Sequence, residues 1–303
     1  MITRLKDLLE QTDNRKLKLV VVSCHDEEVL EAVFESYKLG IIEPILIGDM
    51  DKTYEIAKKQ NFLLDNLVLI NELDMVMAAE IGVKMVSKGE ADFIMKGLLD
   101  TSTLLKAVLN KEWGLRSDSL LSHVMIYDVS TYHKLLYLTD GGMNIAPNVE
   151  EKEKIMKNAC IVAKALGNTT VKVAILAAKE KVDSKMNATI DANWIAEKYN
   201  NSEYDGNIIV DGPLALDIAL SREAADIKGV ESRIAGDADI LLVPNIEMGN
   251  GIGKAITYLA KGKSAGIVMG AKAPIVLASR SDDHITKLYS IALGKMVASK
   301  IYV

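Results

Sequence analysis

The segment Ala273–Ile285, A-P-I-V-L-A-S-R-S-D-D-H-I, concentrates reactive side chains in a short space. The apolar run Ile275–Ala278 stops at Ser279-Arg280, Asp282 and Asp283 follow, and a helical pattern then begins. A hydroxyl, a guanidinium and two carboxylates therefore meet where a strand hands over to a helix. Open α/β sheets place their ligands at such handovers. An Arg fork matches a phosphate, and a positioned carboxylate can take a proton. A plainer role is also open. Ser281, Asp282 or Asp283 can N-cap the helix that starts near His284, an effect of ~1 kcal/mol. One aspartate can cap while the other does chemistry, and the residues alone do not say which.

Other polar groups follow apolar runs in the same way. Lys96-Gly97 comes after Phe93–Met95 and before a helical pattern from about Thr101. Glycine lets backbone approach a ligand, and a helix start favours an anion; a surface lysine and a turn glycine are the alternative. Asn245, Glu247, Gly249 and Asn250 follow Asp239–Val243, as ligand contacts or as an ordinary polar turn. Ser279, Arg280, Lys96 and Asn250 are expected to line one cleft. G-N-G-I-G-K at Gly249–Lys254 fails both the Walker spacing and G-x-G-x-x-G, so no nucleotide loop is read there. Cys24-His25 is adjacent in sequence, whereas a working Cys–His pair meets in space, so Cys24 is read as packing. His123 is read as a satisfied strand histidine, with Ser122 beside it as a possible donor to a ligand.

Those groups need a scaffold. Short apolar runs recur at Leu17–Val22, Pro44–Ile47, Leu67–Ile70, Phe93–Met95, His123–Tyr127, Leu135–Leu138, Val171–Leu176, Asn207–Val210, Asp239–Val243, Gly266–Met269 and Ile275–Leu277. Most lack strict alternation, as strands covered on both faces do. Helical patterns separate most of them. The clearest is Asn148–Leu166: Asn148 is the expected N-cap, Glu151 stands at the third helical position, and Gly167 closes the end. A last helix is expected over Ile285–Ser299, with Ile285, Leu288, Ala292 and Met296 on one stripe. Alternating strands and helices predict an α/β fold with largely parallel sheets. His123–Tyr127 and Leu135–Leu138 suggest a hairpin or edge pair, and the turn-rich T-D-G-G-M-N-I-A-P-N after them suggests a domain break. The expected division is residues 1–135 with 275–303 in one domain and 136–274 in the other.

Composition narrows the function classes. At 303 residues, two domains are the better expectation. The chain is 49% hydrophobic and 26% charged, an ordinary globular balance. Its formal charge of -6 repels anions, so an anionic ligand needs a local basic pocket. No basic stripe interleaved with aromatics points to nucleic acid. No apolar run is long enough to span a membrane. Cys24 and Cys160 are too few for a disulfide framework or a zinc site. Met1–Glu10 carries charges throughout, so no secretory leader is expected, and the expected compartment is the reducing cytoplasm.

Six segments in order carry a resemblance: M-K-G-L-L-D-T-S-T-L-L-K-A-V at Met95–Val108, L-L-S-H-V at Leu120–Val124, L-T-D-G-G-M-N-I-A-P at Leu138–Pro147, D-G-P-L-A-L-D at Asp211–Asp217, A-G-D-A-D-I-L-L-V-P-N-I-E-M-G-N at Ala235–Asn250, and S-R-S-D-D at Ser279–Asp283. Together they resemble the phosphate acetyltransferase/phosphate butyryltransferase family over nearly the whole chain, with M-K-G-L-L and L-S-H-V closer to the butyryl branch. The resemblance implies two α/β domains around a cleft, of the isocitrate/isopropylmalate dehydrogenase kind. It implies acyl transfer between coenzyme A and inorganic phosphate, by direct attack in a ternary complex. It further implies coenzyme A as substrate, no tightly bound cofactor, no metal, and a homo-oligomer. By the same resemblance Ser279 and Arg280 stabilise the transition state and hold phosphate. The family's downstream Asp does not carry over: its place falls on Thr286, and Asp283 and Asp282 stand nearer, so the pair shares the role of base. Asn144 lies within a matching segment, and Arg116, Lys254 and Lys96 are candidate coenzyme A contacts by local context. Phosphate acetyltransferase is the nearest alternative. A metal- and NAD-dependent dehydrogenase on a related fold and a non-catalytic metabolite-binding module are alternatives of other classes.

Overall fold

The computed structural model describes residues 1–10, 16–200, 207–279 and 282–301. Its strands are β1 Leu17–Val22, β2 Ile42–Gly48, β3 Val68–Asn71, β4 Phe93–Lys96, β5 Ser122–Asp128, β6 Leu136–Thr139, β7 Val171–Leu176, β8 Ile208–Leu214, β9 Ile240–Leu242, β10 Lys263–Met269 and β11 Ile275–Val276. Each apolar run picked out by sequence overlaps one of them. The helices are α1 Glu27–Lys38, α2 Met50–Lys59, α3 Met75–Ser87, α4 Thr101–Val108, α5 Val149–Ala165, α6 Asn187–Asn200, α7 Leu216–Leu220, α8 Arg222–Lys228, α9 Ile246–Tyr258 and α10 His284–Ile301.

The fold is α/β with mostly parallel strands, and the chain forms two compact units. One unit comprises Lys6–Ser119 and Ala265–Val303, the other Met1–Leu5 and Leu120–Ser264. These limits differ from the 1–135/136–274/275–303 division that turn density suggested. The β5–β6 hairpin goes with the later strands because β6 also pairs in parallel with β9. The same pairing means β6 is no sheet edge. At the other end, β10 leaves with the closing segment because it pairs with β11, which pairs with β4.

In the Lys6–Ser119/Ala265–Val303 unit the strand order is β3-β2-β1-β4-β11-β10. All adjacent pairs are parallel except β10–β11. Burial explains the runs: in β1 every residue but Lys18 is buried, the pattern of a strand covered on both faces. Asp26, Asp49 and Asp74 cap α1, α2 and α3 through side-chain bonds to early backbone N–H groups.

Helix α10 is more deeply buried than its stripe predicted, since residues 287 to 298 are all buried. The small and polar positions make this workable. Ser290 Oγ accepts the Gly266 N–H at 3.0 Å and donates to the Thr286 carbonyl at 2.8 Å. A Cβ on Gly294 would stand 2.8 Å from Val276 Cγ2.

In the other unit the order is β5-β6-β9-β7-β8, parallel except for β5–β6. Its core includes Tyr127, Leu138, Leu176, Leu214, Ile218 and Leu241. Helix α5 opens with the expected capping box: Asn148 accepts the Glu151 N–H, and the Glu151 carboxylate accepts that of Asn148. Ile155, Ala159, Val162 and Leu166 are buried as expected, and Gly167, at φ 93°, ends the helix.

Candidate active site

The carboxyl ends of β4 and β11, neighbours in parallel, open into a pocket within one unit. Lys96, Gly97, Ser279, Lys287 and the first residues of α1 line it. Lys96 ends β4 and is 6% exposed; its Nζ donates to the carbonyls of Gly97 at 3.0 Å and Leu99 at 3.2 Å. Lys287 sits in the first turn of α10, is 3% exposed, and donates to the Asp282 carbonyl. Two ammonium groups at one pocket make a local basic site in a chain of net charge -6. Asp26 also lines the pocket, with Oδ1 accepting the Val29 N–H at 2.9 Å as the α1 cap.

Gly97 is there for a close backbone approach. Its N–H donates to the Val22 carbonyl at 2.8 Å, and a Cβ would stand 2.3 Å from the Ser23 carbonyl oxygen. Ser23 itself, buried at the end of β1, has φ 54°. The glycine thus lets the β4 exit lie against the β1 exit.

Ser279 begins a turn closed by Asp282. The Asp282 carboxylate accepts the Ser279 N–H at 2.7 Å, and the Asp282 N–H returns to the Ser279 carbonyl at 3.2 Å. Asp283 caps α10, its Oδ1 accepting the Thr286 N–H at 2.8 Å. Burial pushes the Asp283 carboxyl up, but the Thr286 bonds and the nearby His284 and Lys287 charges outweigh it and hold the group below its ordinary range. Arg280 lies outside the described residues, as does Ser281. Arg116 belongs to the same unit and is exposed, its backbone bridging Ala271.

The remaining candidates belong to the other unit. Ser122 is buried at the start of β5 and its Oγ accepts from Asn158 Nδ2 at 2.8 Å. Asp140 organises the loop after β6: it accepts the N–H groups of Gly142 at 2.8 Å, Met143 at 3.0 Å and His123 at 3.1 Å. Asn144 donates to it at 2.6 Å and to the Leu121 carbonyl at 2.9 Å. Asn245 caps α9, accepting the Met248 N–H at 3.0 Å. Glu247 and Asn250 are exposed on the first turns of α9, and Lys254 lies over the Tyr258 ring at 5.7 Å. Two of the three glycines of G-N-G-I-G-K serve packing, while Gly251 faces open space. A Cβ on Gly249 would stand 2.7 Å from Gly141 Cα, and one on Gly253 would stand 2.5 Å from the Tyr127 hydroxyl.

Of the four residues expected in one cleft, Lys96 and Ser279 meet in the pocket, Arg280 is not described, and Asn250 belongs to the other unit. Sequence reasoning missed Lys287 and Asn158. A lone lysine one position past the family's Asp place is the signal that could have found Lys287. Asn158 gave none, being one polar residue in a buried helix face.

Cys24 and His25 do not form a nucleophile–base pair. The Cys24 sulfur lies 3.5 Å from Thr53 Oγ1, while His25 Nδ1 accepts the Asp49 N–H at 3.1 Å. Burial pushes the Cys24 thiol up to about 11. Among the described residues one His/Glu group, Glu28, Glu31 and His284, brings metal-ligating atoms within 4.8 Å of one another. Its imidazole nitrogens stand 3.8 and 3.7 Å from the carboxylates, beyond hydrogen-bond reach.

An α/β unit with a basic pocket at the carboxyl ends of parallel strands is the architecture of an anion-handling enzyme. The family model for phosphate acetyl/butaryl transferase matches residues 69–294, and the chain belongs to that family. It is 44% identical over 299 residues to a phosphate butyryltransferase of Clostridium acetobutylicum, covering 98% of this chain and 99% of that one. It is 37% identical over 294 residues to a phosphate acetyltransferase of Thermotoga maritima, covering 97% and 99%. A branched-chain phosphotransacylase from Enterococcus faecalis V583 superposes with a TM-score of 0.83 at 31% identity, covering 93% of this chain and 99% of that one.

Proposed function

We propose that this chain is a phosphate acyltransferase that moves a short acyl group, butyryl in preference to acetyl, reversibly between coenzyme A and inorganic phosphate. The observation that carries the reading is the pocket where Lys96, Lys287 and Ser279 meet at the ends of β4 and β11. The two lysine charges there favour an anion such as phosphate.

In the direction of acyl-CoA synthesis, the coenzyme A thiol gives its proton to a carboxylate of the Asp282/Asp283 pair. A free thiol titrates near ~8.5, so a positioned base is needed. The sulfur attacks the acyl carbonyl, and the C–S bond forms as the carbonyl electrons move onto oxygen. Ser279 donates to that oxyanion. The carbonyl re-forms, the bond between the acyl carbon and the bridging oxygen breaks, and phosphate leaves with that oxygen and the bonding pair, held by Arg280 and the pocket. No covalent acyl-enzyme is required.

The branch comparison supports butyryl: identity is 44% to the butyryltransferase of C. acetobutylicum against 37% to the acetyltransferase of T. maritima. Chain-length discrimination is small per methylene, ~1–3 kcal/mol, so acetyl-CoA is a slower substrate rather than an excluded one. We place the enzyme in the cytoplasm, a setting that suits its two buried cysteines, and expect a homo-oligomer as in the family.

Thiol release from acyl-CoA on addition of phosphate is the test. Butyryl-CoA should be turned over with a higher kcat/KM than acetyl-CoA. Equal or reversed values would overturn the branch assignment, and thiol release independent of phosphate would overturn the reaction.

A further inference from the structure

Lys287 is a buried cation that neither the S-R-S-D-D segment nor the other family segments include. Burying an ammonium is costly unless partners compensate it. The hydrogen bond that Lys287 makes among the described residues goes to the Asp282 carbonyl, and the Asp283 carboxylate, near enough to feel its charge, is turned to the Thr286 N–H. An ammonium has three donors, and this bond uses one. Lys96 lines the same pocket, and its Nζ donates to the carbonyls of Gly97 and Leu99. The two lysines come from adjacent parallel strands' ends, one directly on β4 and one on the helix that follows β11.

The geometry points to a two-lysine phosphoryl site: Lys287, with Lys96, binds the phosphoryl group of inorganic phosphate or of the acyl phosphate. This deepens the acyltransferase reading and rests on it for the reaction, though not for the binding. Lysine acts on phosphate as a point charge on a flexible stem, and two of them outweigh the one Asp26 carboxylate and leave the pocket net positive. Asp26 in the same pocket is turned to the α1 backbone through Val29.

Lys287 also has a positioning role. It holds the Asp282 carbonyl, and the Asp282 carboxylate holds the Ser279 N–H. Phosphoryl binding at Lys287 is therefore linked through two hydrogen bonds to the turn that presents Ser279. The site ties the leaving group's charge to the hydroxyl expected to meet the oxyanion.

Two measurements on the intact chain test this. One is thermal melting titrated with inorganic phosphate, which needs no catalysis. The other is steady-state kinetics with phosphate and coenzyme A varied in turn. Lys287→Met should raise the phosphate midpoint and the KM for phosphate by about 10- to 100-fold, the cost of one charged hydrogen bond. The KM for coenzyme A should stay put, and Lys287→Arg should recover most of the loss. A purely structural lysine would lower the melting point without separating phosphate from coenzyme A, and that outcome overturns the proposal. If Lys287→Met does not fold, Lys96→Met is read in the same way, and an unchanged phosphate midpoint there overturns it too. Absence of thiol release from any acyl-CoA would defeat the acyltransferase reading alone, because the melting titration still decides whether the lysines bind phosphate.

Discussion

The Asp282 carboxylate accepts the Ser279 backbone N–H at 2.7 Å, while its neighbour Asp283 accepts the Thr286 N–H at 2.8 Å. Two adjacent carboxylates thus face opposite ways, one back into the turn and one forward into the helix. They should behave differently on substitution. Asp283→Ala removes a helix cap and should cost about 0.5–2 kcal/mol of stability. Asp282→Asn keeps an acceptor oxygen for the turn but loses the proton acceptor. Melting curves beside turnover numbers should therefore show Asp283→Ala chiefly as a stability loss and Asp282→Asn chiefly as a rate loss. The reverse pattern would make Asp283 the base.

Ser279 and Arg280 should also separate kinetically. Ser279→Ala should lower turnover by ~10²–10³ with little change in either binding constant, as for a lost oxyanion donor. Arg280→Lys keeps the charge but loses the planar fork, so it should raise the KM for phosphate and leave that for coenzyme A alone. Near-normal kinetics in both would leave Ser279-Arg280 as a mere strand-to-helix junction.

Chelation gives a third check. Lysines, an arginine and backbone donors can hold phosphate without a cation, so turnover should survive EDTA. A loss that magnesium or manganese restores would mean that a cation helps hold the phosphate, and a loss restored by zinc would direct attention to Glu28, Glu31 and His284.

Acid stability should depend on Asp237. Burial pushes its carboxyl up, but Lys134, Lys172 and His133 more than reverse this and hold it far below the ordinary carboxylate range. A depressed folded-state pKa stabilises the fold above the unfolded value, about 3.9, and that contribution fades as pH falls toward the folded value. Asp237→Asn should therefore lower the melting temperature at neutral pH and lessen the acid-induced drop below about pH 4. An acid limb as steep as in the parent chain would show that the cluster is screened out.

The close approach of Gly141 and Gly249 should tolerate no side chain. Gly249→Ala sets a Cβ 2.7 Å from Gly141 Cα, backbone that cannot swing aside. Overpacking of this kind costs about 1–3 kcal/mol. A melting temperature within error of the parent would mean that α9 shifts freely.

Much of this architecture could be read before any coordinates. The apolar runs located the strands because parallel strands buried on both faces leave an unbroken apolar signature. Asn148 and Glu151 announced the start of α5 because a capping box is local chemistry. The unit limits differ from the turn-based division because they depend on which strands pair, and a hairpin sequence does not say that β6 will also find β9. The burial of α10 was underestimated because Ser290, Gly294 and Lys295 break its apolar stripe yet lie inside. Lys287 escaped notice for a related reason. A lysine reads as surface until a neighbouring strand end is seen to share its pocket.

The place of β11 between β4 and β10 has a consequence for how the chain is made. β4 leaves the ribosome with β1 on one side and nothing on the other. Its second neighbour is about 180 residues further on, which at ~5–20 residues per second means a wait of roughly 10–35 seconds. The unit that spans Leu120–Ser264 is complete before then, while the pocket-bearing unit is not. A released chain that ends just short of Ala273 should therefore present a protease-resistant Leu120–Ser264 region alongside an N-terminal part that is still cleaved, its basic pocket unbuilt without the last strand and helix.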